Sequence, residues 1–440
     1  TTSGGATFHT QAPAQNDNVY FDANSFTGAG QIVTIDVAAE CADMDWTGAS
    51  NTPELAGSQN FSIFGSLTFI PDMIFSNTGD VYFEAISTGE TITSAGQQFN
   101  DRVYFNGIGG WILQDAFNAP VDQVIFDNGA LDLNGQSFTA ERFNSTSTNV
   151  RTLILGSSTI TLIENGIYAM YINGDNFTLQ SGTSLIKFIS ANGGMFCYGS
   201  GNLAFYNVLC ESGSGSSTLR NNNGSFNTIV FNSAGLLDDG NTVDSVIFLE
   251  NGAIYDNNNI NYAEFNGNAD ISGYGTYGEV YIDGHGEILG DNTFSELHFS
   301  PGKTYTLTSG KTQTITGLLQ ANGSCSQPIT IQSNTNGSQT TINKVTGSVI
   351  IDYCILKDNY ATGGATFVAN NTIDLGNNSG WAISPPAPLD LYWVGGTGNW
   401  DDPSHWSLTS GGPGGACTPS PIDNVYFDGN SFTAAGQVVT

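Results

Sequence analysis

The sequence predicts an all-β fold, a parallel β-helix (β-solenoid) with an aromatic cap, and three observations predict it. The middle of the chain, from Phe226 to Gly310, repeats every 17 residues without a gap. The composition is poor in charge and rich in turn formers: 11% of the 440 residues are charged and 55 are glycine, where an ordinary globular protein is about a quarter charged. Finally, the segment Asp17 to Thr34 returns as Asp423 to Thr440, with 15 of 18 positions identical at an offset of 406 residues.

The 17-residue coils begin at Phe226, Val243, Ile260, Tyr277 and Phe294. Their sixth positions are Phe231, Phe248, Phe265, Ile282 and Phe299, and their fourth positions are Ile229, Val246, Ala263, Val280 and Leu297. Residues two apart on a strand point to one side, so these positions make an inward face. The residues between them vary freely, from Val230 and Ile247 to Glu264, Tyr281 and His298, as outward positions do. Glycine or Asn-Gly near the ninth and tenth positions, as at Asn251-Gly252, marks a corner, and a polar cluster such as Asp291-Asn292 closes the turn. One such strand cannot bury its apolar face, but stacked coils can, with equivalent side chains about 4.8 Å apart.

Looser versions of the same phrase occur upstream at Phe99 to Phe105, Val121 to Phe126, Val150 to Leu155 and Phe205 to Cys210, and further coils are expected from Val345 to Asn359. If Asp17 to Ser384 is one body of 368 residues, a spacing of 17 to 22 gives roughly 17 to 22 coils, a rod on the order of 80 to 105 Å. Parallel crossovers favour the right-handed form. An array of β-sandwiches is the alternative, but it does not predict five gapless coils.

The domain layout follows. Residues 1–16 read as an incomplete cap or lead-in, 17–384 as the β-helix repeat unit and 385–390 as a proline-rich linker. Residues 391–440 read as the cap and first coil of the next repeat. The chain is thus expected to be a window on a tandem array. Solenoid ends expose unpaired edges and open core, and Trp393, Trp400 and Trp406 of LYWVGGTGNWDDPSHW are suited to cover one.

Charge bounds the partners. Nine Lys and Arg against forty Asp and Glu give a formal charge of −31, which repels nucleic acid phosphates and anionic lipid. No apolar run reaches the roughly 18 residues of a membrane span, and Thr1 onward is not a signal peptide, so if the protein is secreted its targeting elements are expected outside this window. Six cysteines lack CxxC spacing, which argues against zinc. Cys197 with Cys210 and Cys325 with Cys354 are candidate disulfides; buried reduced thiols are the alternative reading.

Signs of catalysis are thin. Polysaccharide lyases and hydrolases also use the β-helix, and they need clustered carboxylates, or calcium with a basic residue, on one face of successive coils. The cations are scattered singly, and the adjacent pairs Asp238-Asp239 and Asp401-Asp402 are discounted because adjacent strand residues face opposite ways and these pairs are expected in turns. His9, His285, His298 and His405 have no nucleophile or metal partner in sequence. The acidic turns Asn173 to Asn176, Leu237 to Gly240 and Asp256 to Asn259 offer oxygen ligands for a structural calcium, the one cofactor considered, although Asn and Asp also cap turns by themselves. Thr-x-Thr phrases at Thr304 to Thr308 and Thr312 to Thr316 are similar to ice-binding arrays, but ordinary β-propensity accounts for them.

The lead-in YWVGGTGNWDDPSHW, followed by SGGPGGACTPSPIDNVYFDGNSF and the closing ATGGATFVANNTIDLGNNSGW, resembles the repeat of very large cell-surface adhesins from gliding bacteria with type 9 secretion. The resemblance covers nearly the whole chain, its boundary motifs being the specific part. It implies a secreted, tandemly repeated structural protein of an extracellular filament or adhesin, without catalysis. Its partners would be adjacent repeats or copies end to end, and surface polysaccharide. A secreted β-helix lyase or hydrolase and a carbohydrate-binding module are the alternatives. One departure is that the lead-in before Asp17 lacks a cysteine like Cys417; if Cys417 bonds the counterpart of Cys41, then Cys41 has no such partner here.

Overall fold

A computed structural model describes residues 11–211 and 215–440, so His9 and most of the 1–16 lead-in lie outside the described residues. The chain forms two compact units, Thr1–Ile260 and Asn261–Thr440. Both are parallel β-solenoids, with about 17 turns between them at a spacing of roughly 21 residues. The 17-residue spacing therefore belongs to the middle coils alone. Elsewhere the longer corners expected from the looser phrases add residues outside the strands. Helix is confined, among the described residues, to a 3-10 turn at Pro403–His405, and no helix is long and apolar enough to cross a membrane.

In the first unit, one eight-stranded sheet takes a single strand from each successive coil: Val19–Tyr20, Met44–Asp45, Leu67–Thr68, Glu90–Thr93, Gly110–Leu113, Gly129–Asp132, Arg151–Ile154 and Phe177–Gln180. Every neighbour in it is parallel, the signature of a coil returning over itself. The alternation of buried and half-buried residues follows the pleat, as in Val103–Phe105 and Ser225–Phe231. Like side chains lie over like: Phe83 over Phe105 at 5.0 Å, Phe117 over Phe138 at 5.3 Å, Phe231 over Phe248 at 4.8 Å and 2°. Each fully buried ring contributes about 2 kcal/mol from the area it removes from water. The corner glycine is part of that stack, because a Cβ on Gly252 would lie 2.3 Å from the Phe248 ring.

A cation sits inside this apolar column. Arg151 is fully buried, and its guanidinium donates to the carbonyls of Asn149 at 3.0 Å, Ser145 at 2.7 Å, Asn173 at 3.0 Å and Asp175 at 2.7 Å. It also lies 5.1 Å from the centre of the Phe177 ring. Burial pulls its pKa below the usual guanidinium value, with Asp127 the largest opposing influence. One side chain thus satisfies carbonyls from two successive coils.

The second unit keeps the 17-residue register where the sequence predicts it: Tyr277 opposes Phe294, Val280 opposes Leu297 and Ile282 opposes Phe299. Phe265 is fully buried in this unit. A buried asparagine recurs at the sixteenth coil position and ties corner to corner. Asn258 accepts at Oδ1 from the Asn241 amide at 2.8 Å in the first unit, and Asn292 accepts from the Gly275 amide at 3.0 Å in the second. After Phe299 the spacing widens and a register shift falls between Phe294 and Glu296. The unit closes with the short sheet Ser348–Asp352, Thr366–Asn370, Ala382–Ile383, then the linker, then a small sheet carrying the tryptophans.

Candidate functional site

The tryptophan coil is a miniature core. Asp390–Trp393 pairs antiparallel with Trp406–Ser407 and parallel with Asn424–Tyr426. Leu391, Trp393 and Trp406 are fully buried, with Leu389, Ala416 and Val439 packed against them. Trp393 meets Trp406 edge-on at 5.0 Å, as does Trp400. The indole N–H groups are satisfied locally, Trp393 donating to Gly396 O at 2.7 Å and Trp406 to Trp400 O at 2.8 Å. His405 stacks on Trp393 at 4.8 Å and its Nδ1 lies 2.8 Å from Val394 O, which makes it a donor to the turn. The three predicted cap residues therefore do come together, and the returning segment closes over them: Phe427 lies 6.1 to 6.4 Å from all three rings.

A disulfide ties this coil to the solenoid before it, and it differs from the predicted pairs. Cys325 bonds Cys417, 92 residues away with a Cα separation of 5.4 Å, and not Cys354. Cys41, Cys197, Cys210 and Cys354 are buried free thiols. Cys197 and Cys210 are ladder residues on different strands, opposing Ile172 and Phe188, so each belongs to its own stack. Burial pushes Cys41, Cys210 and Cys354 up to about 12, which leaves no thiolate for exchange. Because Cys417 reaches back to Cys325, it has no need of a Cys41 counterpart.

The two copies of the repeated segment fold alike. In the first, Ser25 Oγ accepts from the Asp22 amide at 2.9 Å and Gln31 Oε1 from the Thr27 and Gly28 amides at 2.6 and 2.9 Å. In the second, Ser431 Oγ accepts from the Asp428 amide at 2.9 Å and Gln437 Oε1 from the Thr433 and Ala434 amides at 2.7 and 3.1 Å. Phe21 and Phe26 lie 5.9 Å apart, Phe427 and Phe432 6.0 Å. What differs is the neighbour. The first copy packs on the next coil, with Phe21 stacked on Trp46 at 3.9 Å; the second packs on the tryptophan coil.

Among the described residues, three acidic side chains cluster closely enough to share a ligand. Asp238, Asp239 and Asp256 bring carboxylate oxygens within 4.8 Å of one another. The expectation that Asp238 and Asp239 face apart fails because Asp239 lies beyond the strand end with φ of 77°, and Asp256 has φ of 65°. These left-handed corners re-aim both side chains. Two of the three predicted acidic turns thereby meet across successive coils. The oxygens are of the kind calcium takes, although Arg220 already supplies Asp238 with a cation at 3.0 Å.

Burial first, then Asp238, raises the Asp256 pKa, and burial first raises that of Asp239. A carboxyl whose folded pKa is raised stabilises the fold while protonated, and that contribution is lost as pH rises through the folded value. The Asp256→Asn variant is therefore expected to melt above the parent at pH 7, by less than about 1 kcal/mol. The gain should vanish as pH falls into the ordinary carboxylate range; equal curves at both pH values would count against the assignment.

Next to this cluster, on the outward face of Met170–Asn173 and Met195–Tyr198, four aromatic rings gather: Tyr168, Tyr171, Phe196 and Tyr198, with centroids 5.1 to 6.0 Å apart. Phe196 opposes Arg220 in register. In the ladder Thr306 lies between Glu287 and Gln332, so at this position the threonines do not run on across successive coils. Of the other described histidines, His298 stacks on Tyr281 at 4.2 Å and His285 Nδ1 accepts from the Thr304 amide at 3.0 Å. Sequence patterns missed Arg151, the asparagine corners and the aromatic group. No protein-family model matches the chain, and no curated protein or solved structure matches it either.

Proposed function

We propose that the chain is a structural and adhesive repeat unit of an extracellular filament or giant cell-surface adhesin, of the kind gliding bacteria make, and that it performs no catalysis. The observation that carries this reading is the repeated segment, folded alike in two places, once as the first coil of a solenoid and once on a tryptophan coil clamped to the preceding one. Such a joint has a use in an array and none in a lone enzyme. The disulfide suits an oxidising exterior, and the acidic surface suits a long assembly that must not self-aggregate laterally. Imaging of the native assembly tests it: an axial period matching one 406-residue unit is expected, and isolated compact monomers would contradict it.

The four-ring aromatic face favours a second role, binding of surface polysaccharide. Flat rings present area to the apolar face of a pyranose at little conformational cost, and weak sites add along an array. Affinity electrophoresis in neutral and acidic polysaccharides should show retardation that Phe196→Ala weakens about tenfold, equivalent to about 1.4 kcal/mol. Unchanged retardation in that variant would remove the role. Shortening of the polysaccharide during the run would instead favour the lyase or hydrolase alternative.

A further inference from the structure

We infer that in successive units the repeated segment is held on both edges at once, by the tryptophan coil of the unit before and by the second coil of its own unit, so that the hydrogen-bonded ladder runs unbroken through each joint. The inference rests on the repeat-unit reading and adds the partner surface, a second copy of the same sequence, and its register.

The carrying observation is that the two copies spend opposite backbone groups. In a parallel ladder, alternate residues direct both N–H and C=O to the same edge. In the first copy, Val19 and Phe21 donate to Asp43 O and Asp45 O, each at 2.8 Å, and Asp17 O accepts from Ala42 at 2.9 Å. In the second copy the neighbouring set is engaged: Asn424 donates to Leu389 O at 2.9 Å, and Val425 and Tyr426 oppose Leu391 and Tyr392. Asn424 and Tyr426 correspond to Asn18 and Tyr20 at the offset of 406. No group is asked to bond twice.

The second strand of the segment repeats the pattern. Gln31 O accepts from Glu54 at 2.9 Å in the first copy. In the second, Val438 O accepts from Gly398 at 3.1 Å, Thr440 O from Trp400 at 2.7 Å, and Thr440 donates to Gly398 O at 3.0 Å. Val438 and Thr440 correspond to Ile32 and Thr34, the residues on either side of Val33. Among the described residues, two independent strands therefore engage complementary edges.

Exposure agrees. Tyr20 is 64% exposed where Tyr426, stacked on Tyr392 at 4.9 Å, is 40%. Conversely Phe432 is 37% exposed where Phe26, covered by Trp46 at 5.7 Å, is 6%. Each copy leaves more exposed the ring that is covered in the other. Joined, the Phe427 position lies between Trp393, Trp400 and Trp406 on one side and a Trp46 on the other. The Asp390 carboxylate, which accepts from Asn424 at 3.0 Å and Tyr426 at 3.3 Å, would take Asn18 and Tyr20 in the same way.

The test compares the 440-residue chain with a two-unit chain in which Thr440 is followed directly by a second copy of residues 35–440, using amide hydrogen exchange resolved to single residues. In the single chain, protection should alternate: Asn424 and Tyr426 slow, Val425 and Phe427 fast. In the two-unit chain Val425 and Phe427 should slow about 100-fold, to the level of Val19 and Phe21. Val425 and Phe427 remaining fast in the two-unit chain would overturn the inference. If they stay fast while particles of doubled length hinge at the joint, the continuous ladder fails and the structural-unit reading survives; if the native material is isolated compact monomers with no 406-residue axial period, that reading fails as well.

Discussion

Replacing Arg151 by methionine is expected to cost the first unit about 3 to 5 kcal/mol, since several buried carbonyls would be left without a donor at about 1 to 3 kcal/mol each before relaxation. The guanidinium has no solvent route, and the four carbonyls it serves, from Ser145, Asn149, Asn173 and Asp175, would lose their donor together. A methionine fills much of the volume, so the loss measures polar satisfaction more than a cavity. Arg151→Lys should recover part of it, because one ammonium keeps the charge but cannot span all four acceptors. Contacts in a solenoid are between neighbouring coils, so the damage should be local. Hydrogen exchange should show protection lost across the coils that hold 145–177 and kept at Val280 and Leu297. A urea midpoint within error of the parent would refute the role.

Opening the Cys325–Cys417 bond should have the next largest effect. Its loop spans 92 residues, for which the chain-entropy account gives about 4 to 5 kcal/mol. The loss should appear in the tryptophan coil, since that coil has a small core of Leu391, Trp393 and Trp406 and depends on being held. Three of the six tryptophans lie there, so fluorescence in urea should split into two transitions on reduction, the earlier one reporting the cap. The Cys325→Ala/Cys417→Ala variant should behave like the reduced parent. A single unshifted transition in both would show that the coil needs no tether.

The sequence was most readable where structure repeats. Phe231, Phe248, Phe265, Ile282 and Phe299 form inward positions because a period of two within a strand and 17 between strands are both visible in one dimension. The tryptophan coil was readable for a similar reason, a dense aromatic run beside a proline-rich linker. What escaped detection depends on non-local or conformational facts. The average spacing near 21 was hidden by corners of unequal length. Cys325 and Cys417 are brought together only by the fold. Asp238 and Asp239 share a site because of a positive φ at Asp239, and no periodicity reports that angle. Arg151 looked like one of nine scattered cations; its burial follows from Arg151–Ile154 being an inner strand whose first residue meets the corner.

The disulfide has a mechanical consequence. Ladder bonds in a solenoid lie along the direction in which coils stack, so a pull applied through the chain ends opens them one coil at a time and pays out chain as it goes. The Cys325–Cys417 bond shunts that load past everything between the two sulfurs. On the order of 300 Å of chain, 92 residues at full extension, stays folded out of reach of the force. A pull along the coil stack would therefore meet a covalent stop at the tryptophan coil.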